Sequence, residues 1–298
     1  MLSSYSFALA SALLWAVSAP ILNIGLERIP KDAKVPGILT GLFISLVAGS
    51  LSLLLIVADN LEAVRISRHL VLAGVFTFPV ATGLYYLCGN AFEGKTEIAA
   101  QFARVKPIFS VLFAVFLLKE KLSWLSYSSL LLVSIGLGFL IMGGLQGVFR
   151  SVALLLGVLT ALAWALGEVF MKIGLTGKLS IIDTFVALLS GTIVGSVFIL
   201  PWTFSLIRRR VGLASWLAPF AAHGLLSFGL AYSAFFESIK RIGLGRTVLI
   251  NAFWPILAVF LVCLCSRLRK QECHVPKNVW LAAPFLVMGS IVQVVVFL

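Results

Sequence analysis

The sequence predicts an all-helical polytopic membrane protein, with ten transmembrane helices arranged as two inverted five-helix repeats. Three observations carry this. Hydrophobic residues make up 61% of the 298 positions and charged residues only 11%, against 45–50% and about a quarter in soluble domains. Mean hydropathy is correspondingly high at +1.10. Second, apolar runs long enough to cross a bilayer follow one another with only short charged separators, each crossing needing about 20 residues. Third, the first half recurs in the second. Ala12-Leu13-Leu14-Trp15-Ala16 returns as Ala161-Leu162-Ala163-Trp164-Ala165, and Ile24-Gly25-Leu26 returns as Ile173-Gly174-Leu175, an offset of 149. A soluble enzyme, a disordered chain and a secreted disulfide scaffold are excluded by the composition.

The first apolar run covers 5–26. Val17-Ser18-Ala19 imitates a signal-peptide cleavage site, but no Lys or Arg precedes Arg28, and the same segment recurs deep in the chain. It therefore reads as a retained helix. The second run, 37–58, carries a ladder of small residues at Gly37, Gly41, Ser45 and Gly49. The third, 69–92, brings Tyr86 and Asn90; the fourth, 96–118, is bracketed by Lys95 and Lys119; the fifth covers 123–145. The sixth run, 152–175, repeats the first, and the seventh, 181–206, has its own ladder at Ala187, Gly191 and Gly195. The eighth, ninth and tenth lie at 214–237, 244–266 and 277–298. Small residues every fourth position let helices approach closely. The ladders are expected to pack helix two on helix one and helix seven on helix six. The halves divide at 1–147 and 148–298. Five spans per half is odd, so the second half enters the membrane upside down, an arrangement typical of transporters with a site near the midplane.

Charges inside a span are costly and call for a reason. Lys106 falls near the middle of run four, and Arg104 lies two residues before it. On a straight helix Gln101 and Arg104 share a polar face while Lys106 points nearly opposite. Arg104 is therefore expected to line a cavity, and Lys106 to pair elsewhere or sit at the edge unless Pro107 distorts the turn. Glu168 in run six is a further candidate. It is four residues before Lys172 and can pair along the helix, bind a substrate amine, carry a coupling proton or neutralise Arg104. Trp15 and Trp164 are repeat-related and both near the midplane, away from the interfaces where tryptophan usually anchors. Asn23, Tyr86, Tyr232, Asn251 and Trp254 complete the candidate substrate-binding set. Neither a metal site nor a cofactor motif is legible, and no nucleotide-binding loop interrupts the spans.

Several of these motifs resemble one family. From Thr96 to Gly143 the chain has a polar helix start, Lys106-Pro107-Ile108 in mid-helix and Leu118-Lys119-Glu120-Lys121-Leu122 at the turn. A helix bearing Gly136, Gly138 and Gly143 follows. Val105-Lys106-Pro107-Ile108 is matched by Phe253-Trp254-Pro255-Ile256 in the other half. The chain is similar to the ten-helix EamA-type branch of the drug/metabolite transporter (DMT) superfamily over nearly its whole length. One departure is clear: Arg267-Leu268-Arg269 stands in the second half where Glu120 stands in the first. The resemblance implies that helices one, three, four, six, eight and nine surround a central cavity, with five and ten as peripheral support. It also implies a cell (cytoplasmic) membrane location with both termini in the cytoplasm.

Loop charges mildly oppose that orientation. With the amino terminus inside, the inner loops hold Arg65, Arg68, Lys119, Lys121, Lys178, Lys240, Arg241 and Arg246. The outer loops then hold more: Arg28, Lys31, Lys34, Lys95, Arg150, Arg208, Arg209, Arg210, Arg267, Arg269, Lys270 and Lys277. The positive-inside rule favours the reverse arrangement. The net charge of +12 is thus read as topology, not as a nucleic-acid surface. The four cysteines are expected to be buried free thiols.

The resulting expectation is a secondary transporter of a small organic, amino-acid-like or anionic metabolite, working by alternating access and most naturally as an exporter. Its partners are the substrate, the bilayer and a possible coupling proton, and the chain is a monomer or weak homodimer. The alternatives are an uptake or exchange carrier for a larger anionic or nucleotide-like metabolite, and a non-transporting scaffold. A lipid-headgroup enzyme would need a cluster of His, Asp or Glu at one interface, which the sequence does not display.

Overall fold

A computed structural model of the chain describes residues 2–91, 104–144, 150–175, 179–208, 214–273, 275 and 277–295. Regular structure among the described residues is helical throughout. In the first half run α1 (Leu2–Glu27), α2 (Lys34–Val57), α3 (Arg68–Val75), a π-helical segment (Phe76–Thr82), α4 (Gly83–Ala91), α5 (Lys106–Phe116) and α6 (Trp124–Gly144). The second half has α7 (Arg150–Gly174), α8 (Ser180–Arg208), α9 (Ala214–His223), a second π-helical segment (Gly224–Ala231), α10 (Tyr232–Ile242), α11 (Leu244–Asn251), α12 (Trp254–Leu268) and α13 (Lys277–Val295). Eight helical stretches are long and apolar enough to cross a bilayer. The fourth run contributes the shorter apolar helix α5, and the eighth is helical from 214 to 242.

Large apolar side chains cover the outside as well as the core, and small hydroxyl side chains are buried among the packed helices. Leu55, Phe198 and Leu131 face outwards, whereas Ser11, Ser45, Ser110, Thr160 and Thr184 are buried. Lipid tails are as apolar as leucine, so helices associate through close packing and hydroxyl bonds instead of apolar burial alone. Ser50 and Thr192 share a hydroxyl–hydroxyl bond of 3.0 Å, and Thr40 and Thr203 one of 3.1 Å, both tying α2 to α8.

Apart from Gly37, which lies against Ile29 just after α1, the small-residue ladders serve contacts between the halves, which corrects the expected pairing. Gly41 and Gly49 of α2 lie against Phe220 and Phe228 in the eighth span, not against α1. Gly191 and Gly195 of α8 lie against Gly74 and Pro79 in the third span, not against α7. Periodicity shows which face is small, but it does not say which neighbour uses it. The two crossings correspond. A Cβ on Gly74 would come within 1.9 Å of the Ala187 carbonyl oxygen, and one on Gly224 within 2.1 Å of that of Ser45. No side chain fits at either point. Near each crossing the helix widens into a π-helical segment, at Phe76–Thr82 and again at Gly224–Ala231. Only the first of these contains a proline, Pro79.

In the fourth and ninth spans a two-residue turn stands at matching places before a helix. Arg104 and Val105 form a turn before α5, and Pro107 occupies its first turn. Ala252 and Phe253 form the equivalent turn before α12, with Pro255 in the same position. A proline has no N–H to continue the ladder but suits the first turn of a new helix. The helices start on Ile108 N–H donating to Val105 (3.0 Å) and Ile256 N–H donating to Phe253 (3.0 Å).

The fifth and tenth spans pack together at one side. Ser129 donates to the Gly289 carbonyl at 2.7 Å, and Gly136 abuts Leu286. The cysteines depart from expectation. Cys263 near the end of α12 is disulfide-bonded to Cys273 in the following loop, with Cα atoms 5.2 Å apart, and Cys265 is free. Their spacing of ten residues spans a helix end, so helical periodicity alone does not bring them together.

Candidate functional site

These turns open onto a cavity about halfway along the spans. Its volume is about 120 Å³. The first span supplies Trp15, Ser18, Ala19 and Leu22, one face of α1 at i, i+3, i+4 and i+7. Thr82, Tyr85 and Tyr86 come from the third span, Arg104, Lys106 and Pro107 from the fourth, and Trp164 from the sixth. The eighth contributes His223, Ser227, Phe228 and Tyr232; the ninth contributes Val248, Asn251, Ala252, Trp254 and Pro255. Leu137 of the fifth span also reaches the wall. That span is therefore not wholly peripheral.

Lys106 is at the centre of the polar contacts. Its ammonium lies 2.6 Å from Glu168 Oε1, while Ser110 donates to Glu168 Oε2 at 2.5 Å. The Lys106 and Glu168 side chains are 14% and 1% exposed, so solvent screens the pair little. Aromatic faces surround the ammonium: Phe235 at 4.9 Å, Trp15 at 5.5 Å and Trp164 at 6.0 Å from the ring centres. Such contacts add attraction for a desolvated cation. The two repeat-related tryptophans thus flank one lysine.

An aromatic framework fixes this cage. Trp15 meets Tyr232 edge-on at 5.0 Å, Phe235 at 5.1 Å and Trp254 at 6.1 Å. Trp164 packs on Tyr85 at 5.5 Å and donates its indole N–H to the Thr77 carbonyl at 3.1 Å. That carbonyl lies in the widened third span. Gly167 makes room for it, since a Cβ there would meet Thr77 Oγ1 at 2.2 Å. Asn251 donates to the Ala8 carbonyl (2.9 Å) and to Ser11 Oγ (2.6 Å), locking the ninth span to the first.

Of the residues singled out from sequence, Arg104, Lys106, Trp15, Trp164, Tyr86, Tyr232, Asn251 and Trp254 line the cavity together. Gln101 lies outside the described residues. Asn23 does not line the wall, because it is turned about 80° from Trp15 on α1 and leaves that place to Leu22. Glu168 is behind the wall, bonded to Lys106. The expected separation of Arg104 and Lys106 fails because they do not share a straight helix; the chain turns between them. Of the roles open to Glu168, pairing along the helix with Lys172 is not adopted. Glu168 takes the longer-range partner, and Lys172 donates to the Ile239 carbonyl at 2.8 Å. Ser110 and Phe235 were missed. Ser110 lies one turn after Lys106 and Phe235 one turn after Tyr232, a spacing that points to both once the lysine is placed.

Away from the cavity, the turn glutamate of the first half has a clear task. Glu120 Oε1 accepts from Leu244 N–H at 2.8 Å and Oε2 from Gly245 N–H at 3.0 Å, capping α11 of the other half. Free N–H groups and the helix dipole both favour a carboxylate there.

Comparison with known proteins agrees with this geometry. The model of the EamA-like transporter family matches residues 2–142 and 151–270. No curated protein matches the chain. One solved crystal structure, 17% identical, aligns over 99% of this chain and 98% of its own with a TM-score of 0.74; at that identity the likeness concerns the fold. Two helical halves with matching turns around one cavity, matched in both halves by the same family model, make this chain a member of the EamA-like transporter family, a membrane transporter of the DMT type.

Proposed function

We propose that the chain exports a small organic metabolite bearing a carboxylate, amino-acid-like in character, by alternating access of its two halves around the central cavity. The observation that carries this reading is the turn at Arg104 and Val105 with the helix start that follows it in the fourth span. It puts Arg104 and the amino-terminal end of α5 at the cavity wall, where charge and helix dipole both favour an anion, with the Lys106–Glu168 pair beside them. The aromatic wall suits the apolar remainder of such a molecule. Untargeted metabolite profiling of cells and medium tests it, comparing wild type with Arg104→Ala at matched expression. Export of a carboxylate-bearing metabolite by wild type, lost in the variant, supports the reading. Identical profiles for wild type and empty vector contradict it.

For the membrane arrangement we propose the cell membrane with both termini cytoplasmic. The Cys263–Cys273 disulfide supports this against the loop charges, because disulfides persist on the oxidising side of a membrane. That loop follows the ninth span, which in this orientation ends outside. Glu27 at the end of the first span meets Arg269 there at 3.0 Å. After mild reduction, a membrane-impermeant maleimide added to intact cells should label Cys273; labelling only after lysis reverses the orientation.

A further inference from the structure

Lys106 is not simply open to an entering anion. Its ammonium is held by Glu168, whose remaining bond is from the Ser110 hydroxyl. A carboxylate that captured Lys106 would leave Glu168 charged, 1% exposed and without its cationic partner. An entering amine that captured Glu168 would strand Lys106 in the same way. Removing one member of a buried pair carries a penalty equivalent to about a hundredfold or more in affinity. A molecule that carries both charges, close together, strands neither.

We propose that the cavity selects zwitterions by partner exchange with the Lys106–Glu168 pair. The substrate ammonium takes the place of the lysine ammonium at Glu168, between the faces of Trp15 and Trp164 that already surround a cation. Lys106, on its flexible stem, turns to the substrate carboxylate, with Arg104 in the same wall. Charge stays balanced at each centre. Lys106 belongs to the first half and Glu168 to the second, so the exchange also removes a direct ion pair between the halves. A substrate with one charge alone cannot release it at the same cost. This inference rests on the transport reading and narrows its substrate to compounds with adjacent amine and acid groups.

The test is calorimetric titration of the purified full-length protein with the twenty common L-amino acids. For the tightest binder, its deaminated acid and its decarboxylated amine follow. Wild type should bind the amino acid at least about a hundredfold more tightly than either half-analogue. In Glu168→Gln the neutral amide no longer requires an amine, so the deaminated acid should gain affinity to within about tenfold of the amino acid. A gain of this kind cannot arise from misfolding. Equal binding of acid and amino acid by wild type overturns the proposal, as does the absence of binding by any amino acid. In the latter case, carboxylate export seen by metabolite profiling keeps the transport reading alone; no export removes both.

Discussion

The two halves share a backbone plan and differ in what they hang on it. Both start a helix at a Lys-Pro or Trp-Pro pair after a two-residue turn, and both widen their third span into a π-helical segment. Both also end that helix's span on a lysine with left-handed backbone, φ 56° at Lys119 and 59° at Lys270. The side chains then diverge. Lys106 becomes Trp254 in the second half, and the acid beside the first turn, Glu120, has the basic Arg269 in its corresponding region. Glu120 caps a helix in the other half, whereas Arg269 reaches an exposed partner, Glu27, with 38% and 48% of the two side chains exposed. Duplication thus supplied a symmetric scaffold on which an asymmetric site was built.

If the scaffold is symmetric, its two glycine crossings should be equally intolerant. Gly74→Leu and Gly224→Leu each drive a side chain into a backbone carbonyl, where neither neighbour can yield. Each should cost about 3 kcal/mol or more and leave little monodisperse protein on size-exclusion chromatography. Tolerance of one but not the other would break the comparison at its base. A smaller effect is expected at Glu120. Glu120→Gln keeps the shape but loses the charge at two N–H donors, so the melting temperature should fall with a loss of about 1–2 kcal/mol. Smallest is Arg269→Ala, which removes an exposed ion pair and should change thermal stability by no more than about 1 kcal/mol. An Arg269 effect exceeding that of Glu120 would reverse the ranking of the two turns.

Much of this is legible in the sequence. The offset repeat is a matter of identity between segments, so it exposes the two halves, the paired tryptophans and the matching X-Pro pairs, though not the turns before them. Composition and run length gave the membrane class. What sequence could not supply was direction across space. On a continuous helix Arg104 and Lys106 would point to opposite faces; the turn at Arg104 and Val105, with Pro107 in the helix turn that follows, brings both to the cavity. Glu168 has a local cation four residues on, yet burial rewards the lysine that arrives from another span with a hydroxyl beside it. The glycine ladders identify close-packing faces without identifying their partners, which for every rung but Gly37 lie in the opposite half. Cys263 and Cys273 meet only because the chain reverses after α12.

The central claim is that transport chemistry resides at the turn and helix start in the first half and not at their counterpart in the second. Its most direct test is efflux of the exported metabolite from cells expressing wild type, Lys106→Met or Trp254→Met, each verified as monodisperse at equal abundance. The Lys106 variant leaves Glu168 buried and uncompensated, so its efflux should fall about a hundredfold or more. The Trp254 variant, which removes only aromatic wall, should retain at least about a tenth of wild-type efflux. Equal losses at the two positions, or full activity in Lys106→Met, would contradict the account.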